Sequence, residues 1–116
     1  MDPLGMADDS ILDSQITASS TWNGDLLPEN GRLDFESAGN MQGAWVAGMG
    51  ANQDINQWIQ VDFDGTLTTI TGVIIQGREN ANQWVTKYKV QYSNDGTNWQ
   101  YVKDVNNLDA VSVGIL

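Results

Sequence analysis

Asn56-Gln57-Trp58-Ile59-Gln60-Val61-Asp62-Phe63 alternates in character: Ile59, Val61 and Phe63 fall on one side of an extended chain, and Trp58, Gln60 and Asp62 on the other. A period of two marks a β-strand with one face on a core. β-Branched and aromatic side chains suit such a pleated, half-buried surface. The stretch therefore reads as a central strand of an antiparallel β domain. On its N-terminal side, Ile16-Thr17-Ala18-Ser19-Ser20 is short and strand-like, and a loop from Thr21 to Asn30 follows. Asn23-Gly24-Asp25 in that loop is turn chemistry, although the large apolar residues Trp22, Leu26 and Leu27 surround it. Arg32 to Phe35 reads as a brief extended piece. A Gly-rich loop from Ser37 to Gly43 leads into Ala44-Trp45-Val46-Ala47, and Gly48 to Asn56 is again loop.

On the C-terminal side, Asp64-Gly65 marks a turn and Thr68 to Gln76 is rich in β-branched residues, as a strand would be. Gly77 to Gln83 is a polar loop. Val85 to Ser93 alternates, with Tyr88, Val90 and Tyr92 on one face. Asn94-Asp95-Gly96 is a hairpin signal because glycine takes the positive φ of tight turns, and Trp99, Tyr101 and Val102 begin the returning strand. No long segment carries a 3.6-residue period. The expected architecture is all-β, a sandwich or jelly roll.

The chain's 116 residues suit one domain with one core, and 41% hydrophobic with 17% charged residues places it among globular chains. Fifteen acidic residues against five basic ones give a net charge of −10. That field repels phosphate backbones, so nucleic acid is set aside as a partner, and it opposes attraction to anionic lipid. Cysteine and histidine are absent, which removes disulfides, thiolate nucleophiles, imidazole metal sites and histidine acid–base chemistry. Scattered carboxylates without a nucleophile and base make no catalytic constellation, so no enzyme activity and no cofactor are expected. Asp62-x-Asp64-Gly65 echoes the start of a calcium loop but lacks its later ligands; it reads as the cap of a strand-to-turn junction, with no metal site. Met1 to Asp9 lacks the basic end and apolar run of a signal peptide. No stretch approaches the roughly 20 apolar residues of a membrane helix, and no Asn-x-Ser/Thr acceptor occurs.

Seven stretches occur in the order found in discoidin domains, also called coagulation factor V/VIII type C domains. They are Pro3-Leu4-Gly5-Met6, Ile16-Thr17-Ala18-Ser19-Ser20, Gly31-Arg32-Leu33, Gly43-Ala44-Trp45, Gln57-Trp58-Ile59-Gln60-Val61-Asp62, Gly72-Val73 through Gln76-Gly77-Arg78, and Tyr92-Ser93-Asn94-Asp95-Gly96-Thr97-Asn98-Trp99. The resemblance covers about residues 3–102 of a single domain spanning 1–116. It implies a jelly-roll β-sandwich of the galactose-binding-like type, with loops at one end that form ligand-binding spikes and no catalysis. Two departures stand out. Met1 or Asp2 occupies the place where typical members carry the first of two disulfide-bonded cysteines. Residues 103–116 do not align with the family's closing strands, so the sandwich is expected to lack them and to expose a sheet edge and part of its core.

The candidate binding residues are Trp22, Asn23, Asp25, Leu26, Leu27, Asn40, Gln42, Arg78, Asn80 and Asn82. Trp22 offers a flat apolar surface to a sugar ring, a collagen side chain or a bilayer interface; alternatively it folds back and plugs the open end of the sandwich. Collagen-binding discoidin-domain receptors are similar here, with a Trp after Ala-Ser-Ser and an Arg after Gln-Gly, which Trp22 and Arg78 match. Those receptors carry an acidic residue before Gly-Ala-Trp, where Asn40 and Gln42 stand in this chain. Arg78 either grips a carboxylate or paired hydroxyls or forms an ion pair with Glu79 or Asp25. Asn40, Gln42, Asn80, Asn82 and Gln83 carry amides that donate and accept, as sugars require; the alternative is that they are ordinary loop residues. Trp45, Trp58, Trp84 and Trp99 are expected in the core or as loop anchors.

The resemblance implies an extracellular, non-catalytic adhesion module that recognises a cell-surface or matrix glycan or glycoprotein, collagen included. The alternative is a peripheral binder that inserts Trp22, Leu26 and Leu27 into membrane phospholipid, as the clotting-factor members do.

Overall fold

The computed structural model describes residues 4–48, 56–79 and 81–113. The architecture is all-β: short antiparallel strand pairs and two 3-10 turns, Asp13–Gln15 and Pro28–Gly31, with no α-helix among the described residues. Strand β1 (Ile16–Ala18) pairs with β2 (Ile59–Val61) in the register Ile16↔Val61, Thr17↔Gln60, Ala18↔Ile59. Bonds from Ser19 N–H to the Trp58 carbonyl (2.9 Å) and from Asp62 N–H to the Gln15 carbonyl (2.8 Å) extend the ladder at both ends. Two motifs distant in sequence thus meet as one antiparallel pair.

The strand at Ile59–Val61 is present, but its surroundings differ from those expected of a central strand. Among the described residues it has β1 as its single ladder partner. Ile59 is exposed, and Val61 and Phe63 are only half-buried. The alternation is real, yet the described residues supply no second sheet to cover the apolar side. The buried apolar residues are instead Ile11, Ile16 and Leu26, on the β1 side. There the turn Pro28–Gly31 packs against β1, with proline at its start where the missing N–H costs nothing. A side chain at Gly31 would crowd Ile59 Cδ1 at 3.2 Å.

Arg32 stitches the lead-in to this core. It is buried, and its guanidinium meets Asp13 Oδ1 (2.6 Å), Asp9 Oδ1 (3.2 Å) and the Met6 carbonyl (3.1 Å). A buried cation has to be paired and hydrogen-bonded to be tolerated, and these three oxygens do that.

The C-terminal half holds two further pairs. Strand β3 (Lys87–Tyr88) pairs with β6 (Ser112–Val113), and β4 (Gln91–Tyr92) with β5 (Gln100–Tyr101). The expected run from Val85 to Ser93 is thus split into β3 and β4, which take different partners. The expected hairpin at Asn94-Asp95-Gly96 forms, with Gly96 at φ +73°. Asp95 closes it: Oδ1 accepts the N–H groups of Thr97 and Asn98 (both 2.8 Å) and the Ser93 hydroxyl (2.9 Å), and Oδ2 accepts the Asn98 amide (2.8 Å). The backbone N–H groups of Asn98 and Thr97 hold its carboxyl far below the ordinary carboxylate range. A lowered folded-state pKa contributes stability that is complete above the unfolded value near about pH 4 and is lost as pH falls through the folded value. The Thr97 and Asn98 amides are therefore expected to keep their native NMR shifts on acidification past the point where ordinary carboxylates protonate. A midpoint in the ordinary aspartate range would contradict this.

Residues 66–86 form no strand among the described residues, although Thr68 to Gln76 reads as one. Leu67 is 87% and Ile74 77% exposed, and Ile70, Val73 and Ile75 are exposed as well. Trp58, Trp84 and Trp99, expected in the core or as anchors, are likewise exposed. Trp45 does act as an anchor: it is half-buried and its indole N–H donates to the Ser20 carbonyl at 2.8 Å.

Candidate functional site

Three loops converge beside the β1–β2 pair. The first, Thr21 to Asn30, is shaped by its turn residues: Asn23 Oδ1 accepts the Asp25 N–H (2.9 Å), and Leu26 N–H reaches the Asn23 carbonyl (3.3 Å). It is sewn to the second loop and the segment after it by Trp22 N–H to the Val46 carbonyl (2.7 Å), Gln42 N–H to the Asp25 carbonyl (2.8 Å) and Val46 N–H to the Leu26 carbonyl (3.4 Å). Asn30 sits at this seam. Only 2% exposed, it uses one amide nitrogen to bind the carbonyls of Asp25 (2.9 Å) and Gln42 (3.0 Å), satisfying both loops at once.

The third loop joins through Arg78 and Glu79. Arg78 donates to Gln42 Oε1 (3.1 Å) and Gln83 Oε1 (2.8 Å), and its N–H binds the Gln83 carbonyl (2.8 Å). Glu79 N–H donates to the Gly43 carbonyl (3.2 Å), while its Oε2 accepts from the Ser37 hydroxyl (3.0 Å) and N–H (3.3 Å). Glu79, considered as an ion-pair partner for Arg78, thus holds the second loop. Gly43 is buried at this crossing, because any side chain there would meet Glu79.

The candidate residues fall into groups. Trp22 is 45% exposed on the first loop. Asn23 is exposed, and Asp25 and Leu27 are half-buried beside it. Leu26 is corrected: at 6% exposed it belongs to the core, because its loop turns back after Gly24 and points this side chain inward. The apolar part of the loop surface therefore consists of Trp22 and Leu27. Gln42 and Arg78 are brought together, half-buried, under the Trp22 loop. Asn40 lies exposed in the turn closed by Ala38 and Met41, and Asn82 is exposed next to Gln83. Asn80 lies outside the described residues. Asn30 was not singled out by sequence; as an ordinary loop residue before a glycine it carries no local signal of burial. At the junction after β2, Asp62 Oδ1 accepts the Asp64 N–H (2.9 Å), the capping role expected of it. Among the described residues no cluster of acidic side chains could hold a metal ion.

The loop that carries the exposed Trp22 is hydrogen-bonded through its backbone to the loop whose Gln42 amide meets the Arg78 guanidinium. An apolar plate next to planar hydrogen-bonding groups can stack on one face of a ligand and bond its edge.

The sequence model of the F5/8 type C domain matches residues 15–114. Retinoschisin of Takifugu rubripes is 36% identical over 118 residues, covering 97% of this chain and 40% of that protein. Neuropilin-1 of Rattus norvegicus is 39% identical over 112 residues, with 94% of this chain and 11% of its own length aligned. Lactadherin of Rattus norvegicus is 42% identical over 106 residues, covering 84% of this chain and 23% of that protein. The chain spans less than half the length of each of these relatives.

Proposed function

The chain belongs to the F5/8 type C domain family, and from that membership we propose that it is a non-catalytic, extracellular binding module of galactose-binding-like jelly-roll form. Its ligand is a cell-surface or matrix glycan or glycoprotein, collagen included, bound in cell adhesion. The observation that carries this reading is an exposed Trp22 on a loop hydrogen-bonded to the one that holds the Gln42–Arg78 contact. Loops held before the ligand arrives lose little conformational entropy on binding, so more of the contact energy appears as affinity. Trp22 stacks on the ligand. Arg78 and Gln42 bind its polar edge, and Asn23, Asn40, Asn80 and Asn82 form a polar rim.

A second reading, insertion into phospholipid, rests on Trp22 and Leu27 at the loop surface. It is the weaker of the two. Leu26 is withdrawn into the core, and a net charge of −10 opposes approach to an anionic bilayer.

A glycan array, a triple-helical collagen peptide surface and sedimentation with phosphatidylserine vesicles, each run on the wild type and Trp22→Ala, test the proposal. The expected result is selective retention on the array or collagen surface. Trp22→Ala is expected to weaken it at least about tenfold, the scale of a lost aromatic anchor of about 1.5 kcal/mol or more. Retention on vesicles alone, abolished by Trp22→Ala, would replace it with the lipid reading.

A further inference from the structure

We propose that Asn23 is a modification site, where the chain converts its own asparagine through a cyclic imide to isoaspartate within the Trp22 loop. The sequence contains Asn-Gly twice, at Asn23-Gly24 and Asn30-Gly31. In this dipeptide the carboxamide has an unhindered backbone nitrogen beside it, because glycine carries no Cβ and takes conformations closed to other residues. The structure separates the two copies. Asn23 and Gly24 are exposed, and a Cβ at Gly24 would meet nothing within 4 Å. Among the described residues, neither Asn23 Nδ2 nor the Gly24 N–H is engaged in a hydrogen bond. Asn30, by contrast, is 2% exposed, its Nδ2 is bound to the Asp25 and Gln42 carbonyls, and Gly31 is held in the 3-10 turn Pro28–Gly31.

The Asp25 N–H donates to Asn23 Oδ1 at 2.9 Å, which folds the carboxamide back over the peptide that follows it. The Gly24 nitrogen, on losing its proton to hydroxide, attacks Asn23 Cγ. Negative charge then gathers on Oδ1, where the Asp25 N–H already stands as a donor. Collapse breaks the Cγ–Nδ2 bond, ammonia leaves with a proton taken from water, and a five-membered imide joins Cγ to the Gly24 nitrogen. Water then adds to one of the two imide carbonyls. Opening at the original backbone carbonyl leaves the chain running through Cγ, as isoaspartate, and opening at Cγ leaves ordinary aspartate. One water is consumed, one ammonia is released and no electrons are exchanged. Both products add a carboxylate to a chain of net charge −10. The isoaspartate also lengthens the main chain by one methylene after Trp22. It turns the Asn23 carbonyl, which accepts the Leu26 N–H at 3.3 Å, into a free carboxylate, so the turn is remade. The conversion does not depend on whether the loop binds a ligand.

The test is to incubate the 116-residue chain in mildly alkaline buffer, digest it, and read the peptides by mass spectrometry. Methyl transfer from labelled S-adenosylmethionine by an isoaspartyl carboxyl methyltransferase distinguishes isoaspartate from aspartate. Isoaspartate is expected at Asn23 at least about tenfold faster than at Asn30, which reacts only when the seam around it opens. That preference is expected to vanish in concentrated urea, where both pairs are equally free. Gly24→Ala sets a methyl group beside the attacking nitrogen in otherwise open space, and Asn23→Gln forces a larger ring; each is expected to suppress the product at this position. In the converted chain the Leu26 amide is expected to lose hydrogen-exchange protection, while the Thr97 and Asn98 amides keep theirs. Equal conversion at both Asn-Gly pairs in the folded chain, a preference that persists in urea, or undiminished conversion in Gly24→Ala would overturn the proposal.

Discussion

Asn30→Ala is expected to destabilise the loop face by about 1–3 kcal/mol, the cost of removing a hydrogen-bond donor from a part-buried seam. The Gln42 carbonyl loses the Asn30 amide and the Asp25 carbonyl keeps the Gln42 N–H, so the bridge from the turn at Asn30, itself only 2% exposed, to both loops is gone. The consequence reaches function through geometry. The Trp22 loop and the Gln42 loop part, which undoes the proposed binding face of Trp22, Gln42 and Arg78. Hydrogen exchange is the readout: the Trp22 amide, bonded to the Val46 carbonyl, and the Gln42 amide, bonded to the Asp25 carbonyl, are expected to lose protection. The Thr97 and Asn98 amides of the β4–β5 hairpin should keep theirs. Unchanged protection at Trp22 and Gln42 would show that Asn30 is not the organiser of the site.

Gly43→Ala acts from the other side of the same junction. A Cβ at Gly43 would lie 2.6 Å from Glu79 Cβ, 2.8 Å from its Oε2 and 3.3 Å from its backbone nitrogen. Those distances are too short to keep, so the contact between the second and third loops has to shift, and overpacking of this kind costs about 1–3 kcal/mol. Glu79 cannot rotate away without releasing Ser37. The displacement instead separates Gln42 from Arg78, and ligand affinity is expected to fall about tenfold, the equivalent of about 1.4 kcal/mol, with the Trp22 surface intact. Gly24→Ala is the control, because a Cβ at Gly24 would meet nothing within 4 Å and its φ is not positive. Equal affinity for Gly43→Ala and wild type would separate the Arg78 contact from binding.

The sequence patterns that proved legible are local ones. The period of two at Ile59–Val61, the turn chemistry at Asn94-Asp95-Gly96 and the Asp62–Asp64 cap each depend on residues within a few positions of one another, and the chain folds them as read. What depends on remote partners was not legible. Alternation states that a strand has two different faces, but not whether another sheet arrives to cover one of them; hence Ile59 is exposed and Leu67 to Ile75 stand outside any ladder. Apolar character alone did not separate Leu26, turned into the core, from Trp22, left at the surface. Trp58, Trp84 and Trp99 misled for the same reason: a large ring is buried only if something packs on it. At the site, motif order pointed to Trp22 and Arg78. Asn30 and Glu79, which hold the loops in place, reach Gln42 across 12 positions and Ser37 across 42, and such contacts leave no short-range trace.

The central claim is that Trp22, Gln42 and Arg78 present one binding face. Its most direct test is to follow the amide, indole and guanidinium signals of the isotope-labelled chain by NMR while titrating the oligosaccharide or collagen peptide that the wild type retains best. The account predicts saturable shifts at the Trp22 indole, the Gln42 amide and the Arg78 side chain with a common dissociation constant, and none at the β4–β5 hairpin. Shifts confined to the exposed Leu67–Ile75 segment or to the hairpin, with Trp22 and Arg78 unmoved, would contradict it.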